Sequence, residues 1–145
     1  MSERWRPDHV APLPEREIAA LLAADGRART RYFLSKAIDN AWVCAWGDQD
    51  GVTMWEDSEG SETIAFWPHP VYAERCYEGD EDRNDTDGPL FYRLDHVLTV
   101  SLPILRADGT KIGIFPVGNT FADVLSVDDF ASMMESALGG VIDIS

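Results

Sequence analysis

Six carboxylates fall within residues 78–89 (EGDEDRNDTDGP): Glu78, Asp80, Glu81, Asp82, Asp85 and Asp87. Oxygen ligands at this density are what a hard cation such as calcium requires. Counted from Asp80, the EF-hand order places Asp82 and Asn84 correctly, but Asp85 stands where the turn needs Gly and Phe91 where it needs a bidentate Glu. The match fails at both diagnostic positions, so no metal is assigned. Three readings stay open for the segment: a solvated loop, a surface that docks a basic partner, and adventitious calcium or magnesium binding. His9, His69 and His96 are far apart and form no HxxxH, HxH or HExxH pattern. Cys44 and Cys76 form no CxxC; Cys44 lies in an apolar stretch where a thiol stays protonated and inert, and Cys76 is a little more accessible. No GxSxG, P-loop or GxGxxG occurs. Carboxylates are too abundant for any chosen pair to be informative. The expectation is a protein that is not an enzyme and carries no cofactor. Trp42, Trp46, Trp55 and Trp67 either pack a core or line a ligand cleft. Trp55, with Glu56, Asp57 and Glu59 beside it, has the make-up of an aromatic interface anchor with a polar rim.

The charge behind these acids is uneven. The 145 residues carry a net −14, yet the first 36 carry +2 and the remainder −16, of which residues 78–89 supply −5. A surface this negative repels phosphate, which excludes general nucleic-acid and anionic-membrane binding. The basic stripe Arg27, Arg29, Arg31 and Lys36 is expected to pair with acids of the same domain. The start, MSERWRPDHV, lacks a signal peptide's apolar segment, and no apolar run is long enough to span a bilayer, so the expected location is cytoplasmic.

The length predicts one domain, and 45% hydrophobic residues suffice for a packed core. Residues 1–12, with two prolines and no periodicity, read as an N-terminal arm, mobile or draped over the domain formed by 13–145. Pro14, Glu15 and Glu17 open a helix that Asp25-Gly26 stops, and a second helix is expected over 27–39. It puts Phe33, Leu34, Ala37 and Ile38 on one face and the four basic residues largely off it. Residues 41–46, 52–55 and 63–67 read as an antiparallel meander. His69 and Pro70 fit the cap and first position of a helix to about Tyr77. After the acidic loop, Leu94, Val97, Leu98, Leu102 and Leu105 follow helical spacing, with Pro103 tightening or ending that helix. A strand over 111–117 is confined to an edge or terminated by Pro116. Ser126 and Asp129 open a last helix with Phe130, Met133, Met134 and Ala137 buried and Gly139-Gly140 at its end. The order ααβββααβα predicts a single α+β domain with helices on a small, mostly antiparallel sheet.

The stretches RYFLSKAIDNAWVCAW, FWPHPVYAERC and LDHVLTVSLPILRADGTKIGIFP resemble the bacterial family named domain of unknown function 2750. Its motif positions fall here on Arg31, Tyr32 and Phe33; on Trp42; on Trp67, Pro68, Tyr72 and Ala73; on Leu102, Pro103 and Leu105; and on Phe115 and Pro116. The N-terminal arm and the acidic segment depart from the family pattern. The resemblance implies a small cytosolic bacterial protein and brings no activity with it. The functional expectation is therefore a non-catalytic protein whose acidic surface, near Trp55 and the 78–89 loop, docks a basic protein, as an immunity protein covers a basic toxin. The alternatives are a ligand-binding or enzymatic cleft between the Trp-bearing sheet and the 70–77 helix, with His69 and Tyr72 in it, and a housekeeping domain. Oligomeric state is left open.

Overall fold

The computed structural model describes residues 5–56, 60–78 and 86–142, the last three as backbone. Its elements run α1 (Glu15–Ala23), α2 (Gly26–Asn40), β1 (Trp42–Asp48), β2 (Gly51–Val52), β3 (Met54–Glu56), β4 (Glu62–Phe66), α3 (Pro70–Tyr77) and β5 (Gly88–Arg93). Then come α4 (Leu94–His96), a π turn (Val97–Ser101), α5 (Leu102–Asp108), β6 (Lys111–Ile114), β7 (Asp123–Leu125) and α6 (Val127–Ile142). The expected α+β domain is present, built on two sheets of order β2-β1-β5 and β3-β4-β6-β7.

The helix signals act as their chemistry requires. The Asp25 side chain caps α2 by accepting from Ala28 N at 2.8 Å. Ser126 Oγ accepts from Asp129 N at 3.1 Å at the start of α6. Pro103 cannot donate to the helix turn before it. The helical run absorbs it with the π turn, whose closing bond runs from Leu102 N–H to Val97 O, and continues through Pro103 to Asp108. That run is longer than expected, and α6 likewise passes through Gly139-Gly140 to Ile142.

The sheets depart further from the simple meander. The expected 52–55 strand is divided: β2 pairs with β1, whereas β3 pairs with β4, because Thr53 N still bonds Trp46 O and the chain then crosses to the other sheet. β4 and β6 are parallel. Two strands were absent from the expected order. β5 begins inside the segment read as loop and pairs antiparallel with β1 from Gly47↔Gly88 to Trp42↔Arg93. β7 returns along β6, which puts β6 in the sheet interior rather than at an edge; Pro116 terminates it. The two sheets meet where Cys44 and Trp67 exchange backbone bonds of 2.9 and 2.8 Å.

The core is aromatic. Phe130 of α6 packs against Phe33 of α2 and Phe66 of β4, with ring centroids 6.5 and 6.1 Å apart, and Met134 is buried beside it while Met133 and Ala137 are half-buried. Trp42, Trp46 and Trp67 are buried, as the core reading of the tryptophans expects. Cys44 is buried and Cys76 half-buried, neither in a disulfide, and burial pushes the Cys44 thiol well above its ordinary range. The arm is draped: Arg6 lies over the Phe91 ring, and Ala11 O is held by His69 Nε2 at 2.9 Å.

Candidate functional site

Strand alternation decides which residues share a face. In β3 and β4 the register is Met54↔Ile64, Trp55↔Thr63 and Glu56↔Glu62. Met54, Glu56, Ile64 and Glu62 therefore lie on one face and Trp55 on the other. The expected patch in which Trp55 anchors a partner beside Glu56 is divided by the pleat. Trp55 is half-buried, donates from Nε1 to the Tyr77 hydroxyl at 3.1 Å and packs against Phe121 at 4.8 Å. Its ring is thus partly taken up by internal packing, on the opposite face from Glu56. Asp57, Glu59, Asp80, Glu81, Asp82 and Asp85 lie outside the described residues. Glu78 is exposed at the end of α3, 3.9 Å from Arg75, which also pairs with Glu15 at 3.1 Å. Asp87 is half-buried ahead of β5.

On the Met54 face the strands and the end of α5 enclose two adjoining depressions. One, about 170 Å³, is apolar and runs between Val52, Met54, Ile64, Phe66, Ile104 and Leu105. The other, about 390 Å³, is polar, with Gly60, Ser61, Glu62, Asp108, Gly109 and Thr110 around it, and Met54 borders both. Glu56 and Glu62 face each other across the ladder, an arrangement of like charges that costs stability. Among the described residues no Lys or Arg forms an ion pair with Glu56, Glu62 or Asp108. Asp108 and Gly109, at the C-terminal end of the helical run, border the same hollow.

The family-pattern residues gather elsewhere. Tyr32 of α2, Tyr72 of α3 and Phe115 form one cluster, with Tyr32–Tyr72 centroids 5.8 Å apart and Tyr72–Phe115 4.7 Å. Tyr72 donates to the Tyr32 hydroxyl at 3.2 Å, and Tyr32 donates to Glu17. Burial raises both phenol pKa values, and at Tyr32 the Glu17 bond adds to that, so both stay protonated donors. Lys36 sits over the Tyr32 ring at 5.5 Å. Trp67 Nε1 donates to Pro116 O at 3.0 Å, Phe33 and Ala73 are fully buried, Pro68 is buried, and Arg31 is exposed. Apart from the exposed Arg31, these positions pack the helices against the sheets. The hydroxyls that a catalytic or ligand-binding cleft would need are bonded to each other and to Glu17.

Arg29 was expected off the packed face and is buried instead. Its guanidinium donates to three backbone carbonyls, Phe115 O at 3.1 Å, Ala24 O at 3.0 Å and Thr120 O at 3.1 Å, and lies over the Phe115 ring. Phe115 needs this support, since its φ of 42° is left-handed, a conformation bulky side chains rarely adopt. Nothing in the spacing of the basic stripe distinguishes Arg29 from its neighbours.

His69 caps α3 as expected: its Nδ1 accepts from Val71 N at 3.1 Å while Nε2–H donates to Ala11 O. The Val71 bond needs an unprotonated Nδ1, whereas the Nε2–H donation to Ala11 survives protonation; burial lowers the ring's pKa, opposed by the Ala11 bond and by Glu74 and Glu17. The unfolded chain takes up the proton near 6.5, where the folded ring does not. This contribution to stability is therefore present above about pH 6.5 and is lost as pH falls from there toward the lower folded value. In urea unfolding, the stability advantage of the wild type over His69→Asn is expected to narrow from pH 7.5 to pH 5; an advantage constant with pH would refute the assignment.

Among the described residues no three His, Cys, Asp or Glu side chains converge in a way that could hold a metal, and no helix is long and apolar enough to cross a membrane. The class defined by this architecture is a small α+β domain with an aromatic core. Residues 30–134 match the family model described as Protein of unknown function (DUF2750), and the chain belongs to that family. No curated protein and no solved structure matches the chain.

Proposed function

We propose that this protein is a non-catalytic binding domain that docks a basic protein through its acidic surface. The observation that carries the reading is the facing Glu56–Glu62 pair, with Asp108 lining the same hollow as Glu62 and no cation paired to any of the three among the described residues. Such an arrangement destabilises the free domain and is relieved when a partner's positive charge arrives. An immunity role, in which the partner is a basic toxin, is one form of this reading and rests on analogy. The ligand-cleft alternative has less support, since Trp42, Trp46 and Trp67 are packed inside and Tyr72 is bonded to Tyr32.

Immobilised wild-type protein and its Glu56→Lys/Glu62→Lys variant, exposed to lysate of the source cell, provide the test. The wild type is expected to retain a basic protein that the variant does not. The association rate of that pair should fall about tenfold or more between low salt and 0.3 M salt. Recovery of no basic protein, or an association rate unchanged by the charge reversal, would overturn the reading.

A further inference from the structure

The two depressions on the Met54 face differ in chemistry but share a wall. The apolar one leaves Met54 38% and Ile104 57% exposed, two large apolar side chains that border a single depression. Ile104 stands one turn after the π turn, directly behind Pro103, so the irregularity that accommodates the proline also sets the helix end that forms this wall. The hollow next to it is the electrostatic opposite. Glu62 and Asp108 line it, and a Cβ placed on Gly60 would sit 3.8 Å from Glu56 Oε1, which brings a third carboxylate to its rim. Gly60 has φ 83°, a left-handed conformation that keeps a side chain out of the entrance at little cost.

The geometry points to one occupant spanning both depressions: a segment of a basic partner protein that sets an apolar side chain against Met54 and Ile104 and a nearby Lys or Arg among Glu56, Glu62 and Asp108. This rests on the basic-partner reading and adds to it a recognition pattern, an apolar and a cationic residue close together. Charge complementarity selects the occupant. A second copy of this chain is itself strongly acidic and would bring like charge to the hollow.

The probes are capped polyalanine heptapeptides carrying one Leu and one Arg separated by one to four positions, with Leu-only and Arg-only peptides as controls. They are titrated into isotopically labelled full-length protein at low salt and followed by backbone amide shifts. The expected result is at least one Leu–Arg peptide that binds fivefold or more tightly than either control, shifting the amides of Met54, Glu62, Ile104 and Gly109. Ile104→Lys should bring that peptide down to the Arg-only affinity. Asp108→Lys should bring it down to the Leu-only affinity, and both variants carry surface changes whose folding is checked by circular dichroism. If Leu–Arg peptides bind no better than Arg-only peptides, and these bind in a salt-dependent way, the two-part site is wrong and the broader reading stands. Failure of every Leu–Arg peptide to bind also overturns the inference, while the capture experiment decides the broader reading independently. Self-association of the wild type that Ile104→Lys abolishes would name a second copy as occupant and overturn it too.

Discussion

Replacing Arg29 by Leu is expected to lower unfolding free energy by about 3 kcal/mol, the order set by leaving the buried Phe115 carbonyl without its guanidinium donor and losing two part-buried bonds as well. For a domain of this size that is a fall of roughly 10 °C in melting temperature. The three carbonyls belong to three places, the end of α1 at Ala24, the strained Phe115 and the turn at Thr120. One side chain thus ties the N-terminal helices to the loop between β6 and β7. Arg29→Lys keeps the charge but not the planar fork, and should recover only part of the loss. Urea denaturation with a shared slope gives the comparison; a loss under 1 kcal/mol for Arg29→Leu would mean that the loop holds Phe115 without the guanidinium.

Gly47→Ala is expected to be nearly as damaging, although it adds only a methyl group. A Cβ at this position would stand 2.2 Å from Gly51 O and 2.9 Å from the Val52 Cα, both backbone atoms of the tight β1–β2 turn, and 3.0 Å from the end of the Leu90 side chain. Leu90 can turn away, but the turn cannot. Asp48 Oδ1 accepts from Asp50 N at 2.8 Å and Gly51 N at 3.2 Å, fixing the hairpin that the methyl would have to open. Overpacking of this kind costs roughly 1–3 kcal/mol, and contact with backbone places it at the upper end. Gly51→Ala, which meets nothing within 4 Å, is the matched control. Equal melting temperatures for the two variants would show that the hairpin shifts freely.

Elements specified by local chemistry were legible in the sequence. Asp25, His69-Pro70 and Ser126 each cap a helix within three residues, and the aromatic strand 42–46 announces itself by composition. The features that escaped depend on distant partners. β5 opens with Gly-Pro straight after a charged segment, and becomes a strand because β1, some forty residues earlier, offers it a whole edge. β7 is three residues long and exists only because the chain reverses after Phe115. Arg29 reads as one member of a solvent stripe until its three acceptors are brought to it by the fold. The candidate site was half legible. The acidity and the neighbourhood of Glu56 were visible, but the register that turns Trp55 inward and sets Glu56 opposite Glu62 is a property of the pairing, not of either strand alone.

Tyr77, the last residue of α3, stacks on the Trp46 ring at 4.5 Å, and Pro89 of β5 stands opposite Trp46 in the ladder. Both ends of the intervening acidic stretch are therefore clamped to a single buried residue. Closure entropy grows only logarithmically with the length between such fixed ends, so that doubling the stretch costs about 0.6 kcal/mol. Trp46 thus fixes both the point where the chain leaves α3 and the point where it enters β5.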